Sequence, residues 1–303
     1  MKAKSLKPIN HIFVPLSLFI LIGSCRVSQH AASTSYPIAY TSLASNNKDI
    51  YITNPTGKSK IKLTNFAGGN GYSAWSPDGK RIAFYAKYDN KRTWSIHTIN
   101  VDGTNRKRLT HANGKWDSSP AWSPDGKKIV FARTYRDANK VVQHQIWMMN
   151  TDGSAQTQIK SLSGGGPCFT PDGRIVFHSE YPGKKSNISI ADIDGDNLTH
   201  LTHTEAEEWQ PEVSPDGKQI AFTSKRDGNF EIYVMDIDGS NQKRLTFNKF
   251  RDSMPSWSPD GTQLIFTSRR DDIIDIYMMR QDGSSIKKII PQGGQPAWFK
   301  ATH

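Results

Sequence analysis

The residues of this chain that could do chemistry recur at regular intervals. Three residues ahead of a repeated Pro, or of Ser73 in the equivalent place, stand Asn70, Asp117, Gly164, Glu208, Asp252 and Gly293. Three of the six are acids. A second series, Tyr88, Arg136, Tyr181, Arg226 and Arg270, stands at matching positions of the repeats, and Trp116 and Trp209 flank two of the acids. Arg, Tyr and Trp are the favoured anchors of binding surfaces, so the first chemistry these residues suggest is recognition. They also suit a plainer role, with Arg226 and Arg270 paired to Asp227, Asp271 or a neighbouring acid of the first series. Exposed pairs of that kind contribute about 0–1 kcal/mol each.

Catalytic patterns are sparse, which favours a non-catalytic protein over an enzyme. The chain has no Gly-x-Ser-x-Gly elbow for a hydrolase nucleophile. A lyase acting on a uronate would need a base and a group to neutralise the carboxylate, for which His111, His178, His200 and His203 are the suggestive histidines. Residues three apart on a strand point to opposite faces, which argues against His200 and His203 sharing a metal. Asp102, Asp152, Asp194, Asp238 and Asp282 each precede a Gly. Turn geometry accounts for them, so no metal and no cofactor is expected.

The elements that must position these residues are set by Ser-Pro-Asp-Gly. It occurs at Ser76–Gly79, Ser123–Gly126, Ser214–Gly217 and Ser258–Gly261, with Thr170–Gly173 as a variant, and successive Asp residues lie 47, 47, 44 and 44 apart. Pro presets the first corner of a turn and Gly supplies the positive φ that sends the chain back. A period in this range marks a repeat architecture. From Gln210 to Thr246 the pattern gives four strands: Pro211–Val213, Gln219–Ser224, Glu231–Met235 and Lys243–Thr246. Ile220 and Phe222 face one side of their strand and Ala221 the other, so the sheet must be covered on both faces.

Radial repetition of such units is a β-propeller. Ile38–Thr41, Asp49–Thr53 and Ile61–Thr64 match the second, third and fourth strands of a repeat, with no first strand ahead of them. Gln295–Trp298 copies the first strand at the other end of the chain. The expected fold is therefore all-β: a six-bladed β-propeller over residues 37–299 with four-stranded antiparallel blades. The C-terminal strand closes the ring by pairing with the three N-terminal ones. Trp75, Trp122, Phe169, Trp257 and Trp298 belong to the core between blades.

Lys and Arg exceed Asp and Glu by 11 in the 303 residues, but the basic residues never form a run, so no nucleic-acid partner is expected. Residues 1–24 read as a secretory leader: Lys2, Lys4 and Lys7 precede an apolar run from Ile12 to Ile22. Leu21-Ile22-Gly23-Ser24-Cys25 resembles a bacterial lipobox, which makes Cys25 the expected lipidation site and residues 25–36 a tether. Acyl chains bury about 0.8 kcal/mol per CH₂, enough for several chains to hold a protein to a membrane. Cys168 then has no disulfide partner.

Pro-Ala-Trp-Ser-Pro-Asp-Gly-Lys-Lys-Ile-Val-Phe from Pro120 and the stretch from Ser224 to Thr246 resemble the repeats of the TolB-type six-bladed propeller family. TolB proper has an α/β domain before its propeller, whereas eleven residues separate Cys25 from the first strand here. The resemblance implies a monomeric propeller of the bacterial cell envelope, on its periplasmic or surface side. Such a propeller would bind an envelope protein or a cell-wall glycan. Oligogalacturonate lyases carry similar repeats, so a carbohydrate-active propeller is the alternative.

Overall fold

The computed structural model describes residues 35, 37–45, 47–65, 68–87, 93–160, 162–181 and 183–300. The expected leader, Cys25 and Tyr88 lie outside the described residues. Each Ser-Pro-Asp-Gly closes on itself. The Ser76 hydroxyl donates to Asp78 Oδ1 (2.6 Å), which also accepts from Lys80 N (3.1 Å), while Gly79, at φ 66°, bonds Ser76 O (2.9 Å). The 2.6 Å hydroxyl–carboxylate bond recurs at Ser123–Asp125, Ser214–Asp216 and Ser258–Asp260, and Thr170 bonds Asp172. Turns so satisfied from within send the chain back at a fixed interval and define hairpins.

The strands follow from those reversals. First come β1 (Ile38–Ser42), β2 (Ile50–Thr53) and β3 (Lys60–Lys62). Then come β4 (Asn70–Trp75), β5 (Arg81–Lys87), β6 (Trp94–Asn100), β7 (Lys107–Arg108), β8 (Trp116–Trp122), β9 (Lys128–Arg136), β10 (Val142–Asn150) and β11 (Thr157–Gln158). The next eight are β12 (Gly164–Phe169), β13 (Ile175–Ser179), β14 (Asn187–Ala191), β15 (Thr199–His200), β16 (Glu208–Val213), β17 (Gln219–Ser224), β18 (Glu231–Asp236) and β19 (Lys243–Arg244). Last are β20 (Arg251–Trp257), β21 (Gln263–Arg270), β22 (Ile273–Arg280), β23 (Lys287–Ile290) and β24 (Gly293–Trp298).

Among the described residues these strands form four separate four-stranded sheets and one of eight strands, β4 to β11. The ladders are antiparallel save for one parallel bridge, Trp94 to Trp116, inside the eight-stranded sheet. The molecule is an all-β propeller of four-stranded antiparallel blades. Its first sheet is completed from the far end of the chain, with Ile38 opposite Trp298, Ala39 opposite Ala297 and Thr41 opposite Gly294. Phe299 N then donates to Pro37 O (2.7 Å). The innermost strands touch in the order β4, β8, β12, β16, β20, β24 and back to β4.

The core lies between sheets. Ala39, Ile50, Ile52 and Leu63 pack against Trp75, Ile82, Phe84 and Ile99 of the next sheet; burying each large apolar side chain contributes about 1.5–3 kcal/mol. The indoles also tie neighbours together: Trp75, Trp122 and Trp257 donate Nε1–H to the carbonyls of Ala297, Ala74 and Glu212 at 3.1–3.2 Å. Outer strands are shorter than their apolar pattern, because the Leu that ends a repeat keeps one ladder bond through its N–H while the hydroxyl of the following Thr replaces its carbonyl as acceptor. In β19 the strand stops at Arg244, so that buried Thr246 can accept from Ile232 N (2.9 Å); Thr64, Thr110 and Thr202 do the same for Ile50, Ile96 and Ile188.

The inner strands carry a bulge. Register shifts fall between Gly71 and Ala74, Ser118 and Ala121, Gly165 and Cys168, Trp209 and Glu212, and Ser253 and Ser256. At the bulges, and at the matching point of β24, Tyr72, Ser119, Gly166, Gln210, Met254 and Gln295 adopt φ of 49–58°. Pro follows five of the six. Pro cannot donate to a ladder, and a bulge is where a strand tolerates it.

Candidate functional site

In antiparallel four-stranded blades, the first and third connections of every blade share one end of the ring. The second connections and the links between blades share the other. We call these the turn face and the link face. The first-series residues begin the inner strands at the link face, and they are not displayed. Asn70, Asp117, Gly164, Glu208, Asp252 and Gly293 are all buried.

Asp117 receives Arg133 in a two-pronged pair, Nε to Oδ1 at 2.6 Å and Nη2 to Oδ2 at 2.8 Å, and the guanidinium lies over Trp147 (4.3 Å). Glu208 accepts from Ser224 Oγ (3.0 Å) and pairs with Arg226. The carboxylate that holds Arg226 is thus at the head of its own blade, rather than the adjacent Asp227. Asp227 instead meets the Tyr233 hydroxyl and Arg244. Asp252 is different: Asn248 Nδ2 donates to it (2.8 Å), and it has no ion pair among the described residues. Burial raises its pKa, against the lowering effect of bonds to Ser268 and Asn248.

Arg270 does not pair with Asp271. Its guanidinium lies over Tyr277 (3.9 Å) and Phe250 (4.9 Å), and Nε donates to Ser268 Oγ (3.1 Å). One sector of the link face extends this arrangement. Phe230 stacks on Trp209 (4.9 Å) and lies beneath Arg251 (4.4 Å), while Arg244 covers Phe247, which is 73% exposed. Trp116, 46% exposed, packs on Trp94 (5.8 Å) in another sector. Arg136 is exposed and donates to Lys140 O (3.0 Å); Tyr181 meets His200 edge-on (5.9 Å). Lys249, Phe250, Arg251 and Phe230 were not in the sequence-derived set. The alternation of basic and aromatic residues in Phe247-Asn-Lys-Phe-Arg251 is the signal that could have found them.

The histidines depart from expectation in one respect. Because β15 ends at His200, alternation no longer governs His203, and the two rings come within 6.4 Å. Glu180 sits between His144 (3.0 Å) and His178 (3.4 Å). Burial would raise the Glu180 carboxyl, but the bond from His178 and the charges of both histidines hold its pKa below the ordinary value. No three His, Cys, Asp or Glu side chains among the described residues are placed to hold a metal ion. The turn-face Asp residues are engaged locally: Asp102, Asp152, Asp238 and Asp282 each accept from the backbone N–H two residues on.

The axis carries a second feature that sequence reasoning missed. Gln210 Nε2 donates to the Tyr72 hydroxyl (3.2 Å) and Tyr72 N to Gln295 Oε1 (3.1 Å). Burial raises the Tyr72 pKa, partly offset by Gln210 and by the charge of Arg251. Thr223 and Thr267 accept from the bulge N–H groups of Met254 (3.1 Å) and Gln295 (2.9 Å) in the following blades. On the turn-face side of this girdle is a cavity of about 520 Å³.

A closed ring of four-stranded blades around such an axis defines a β-propeller protein. The family model described as the TolB beta propeller domain matches residues 134–300, and that of the tricorn protease N-terminal beta propeller domain matches 41–189. The chain belongs to the TolB beta-propeller family. No curated protein matches it by sequence. Among solved structures it resembles TolB from Acinetobacter baumannii, with a TM-score of 0.76 and 23% identity over 90% of this chain and 67% of that one. A putative TolB from Agrobacterium tumefaciens gives 0.67 and 21%, over 84% and 87%. The tricorn protease gives 0.64 and 18%, over 84% of this chain and 26% of its own. At these identities the likeness is one of fold.

Proposed function

We propose that this protein is a non-catalytic, lipid-anchored six-bladed propeller of the bacterial cell envelope that presents its link face to a protein partner. The eight-stranded sheet is read as two blades. Its Trp94–Trp116 bridge stands where Asp252 N meets Phe230 O (2.8 Å) and Glu208 N meets Ser186 O (3.0 Å) between other blades. The observation that carries the binding role is the sector of cations laid on aromatic rings around Phe230, Phe247 and Phe250. Arginine and aromatic side chains already held in place lose little ordering entropy on binding. A lipid on Cys25 would suit this orientation, because Pro37 lies at the turn-face end of β24 and the opposite face is left to the partner.

Two experiments test the reading. Palmitate labelling is expected in the wild type and absent in Cys25→Ala; equal labelling removes the anchor. Lysine cross-linking of the mature protein in its own envelope fraction is expected to give adducts at Lys225 and Lys249. Adducts confined to the turn-face lysines Lys80, Lys127 and Lys218 would contradict the link face as the binding surface.

A further inference from the structure

The axial cavity opens between the turn-face prolines Pro77, Pro124, Pro171 and Pro215, and it has a floor. Tyr72 on β4 reaches Gln210 on β16, which is three inner strands away whichever way the ring is followed. The two side chains therefore meet across the axis and form the floor of the pocket. Its size falls within the range of small-molecule sites, about 300–1,000 Å³.

The wall chemistry narrows the ligand. The prolines of the inner strands and turns and half-buried Phe169 line it, with small parts of Trp75, Trp122 and Trp298, whose rings are otherwise buried between blades. The charged groups of the lining, Glu212 and Lys300, form an ion pair with each other, and Lys300 Nζ also donates to Val213 O (2.9 Å). Cys168 stays a thiol, since burial and the Glu212 charge push its pKa up to about 12. No net charge is offered to an ionic ligand. At the floor, the Tyr72 hydroxyl accepts from Gln210 and keeps its own proton to donate.

We propose that the axial pocket binds an uncharged aromatic small molecule whose hydrogen-bond acceptor is met by the Tyr72 hydroxyl. A flat aromatic ring packs against the apolar Pro and Phe169 surfaces, and desolvating a neutral molecule costs far less than desolvating an ion. This site lies on the other side of the girdle from the link face and is independent of that face's role.

The test uses Prodan, an uncharged naphthalene fluorophore with a ketone acceptor, titrated into the purified mature protein. Saturable 1:1 binding with blue-shifted emission is expected. Tyr72→Phe should weaken it about five- to tenfold, the scale of one hydrogen bond. Pro171→Trp, which blocks the exposed rim, should abolish it. Absence of 1:1 binding to the wild type would overturn the proposal. So would an unchanged affinity in Tyr72→Phe or in Pro171→Trp.

Discussion

The turn face and the link face use the same residue types in opposite ways. The Ser-Pro-Asp-Gly carboxylates of the turn face are satisfied within their own turns, as Asp216 is by Ser214 Oγ (2.6 Å) and Lys218 N (3.1 Å). The acids that head the inner strands at the link face, Asp117 and Glu208, are buried and reach across to Arg133 and Arg226. The first arrangement needs only local sequence and repeats without change. The second depends on which cation the neighbouring strand supplies, so blades differ from one another there. The difference teaches that the repeated turns are scaffold, while the variety between blades is concentrated where the inner strands begin, at the link face.

The largest effect is expected from removing what both faces share. Deleting residues 292–303 takes away β24, unpairs β1 and opens the ring, so thermal unfolding should lose its cooperative transition. A deletion variant that melts like the full chain would remove closure as the basis of the fold. Next comes Asp117→Ala, which strands the buried Arg133 guanidinium and should cost about 3–5 kcal/mol in denaturant unfolding. Its turn-face counterpart, Ser214→Ala, loses hydroxyl bonds that sit partly in water and should cost about 1 kcal/mol. Similar losses for the two would erase the contrast.

The smallest effects are in pH. Bonds from Ser76, Ser123, Thr170, Ser214 and Ser258 help hold the turn carboxylates below the ordinary aspartate pKa, although burial opposes this and is the largest influence on Asp78. Their contribution is therefore complete above that ordinary value and is lost as pH falls through the depressed folded values. Asp252 has the opposite sign. Its raised pKa means that ionisation costs stability at neutral pH, and the cost disappears as the solution becomes acidic. Asp252→Asn should accordingly be at least as stable as the wild type at pH 7 and lose that advantage near pH 3. Melting curves across pH measure both signs.

Much of the scaffold was legible in the sequence because turns are local. Ser-Pro-Asp-Gly announces its own hydrogen bonds, and Gln295–Trp298 announces the strand that β1 needs. The link-face pairing was not legible. Glu208 and Arg226 are eighteen residues apart, and the nearer Asp227 is drawn away by Tyr233 and Arg244. Residue spacing also placed Asn70, Asp117, Glu208 and Asp252 at the correct end of their strands but said nothing of their burial. The girdle was hidden for a different reason. Its six positions share a backbone conformation and no side-chain type, and the following Pro was the available signal.

The division of the two faces is tested most directly by partner capture with matched surface variants. Phe247→Ala, Lys249→Ala and Arg251→Ala are combined in one protein, and Lys80→Ala, Lys127→Ala and Lys218→Ala in another; all six residues are exposed. With melting temperatures unchanged in both, the link-face variant is expected to lose the cross-linked envelope partner and the turn-face variant to keep it. Retention by the first together with loss by the second would contradict the account.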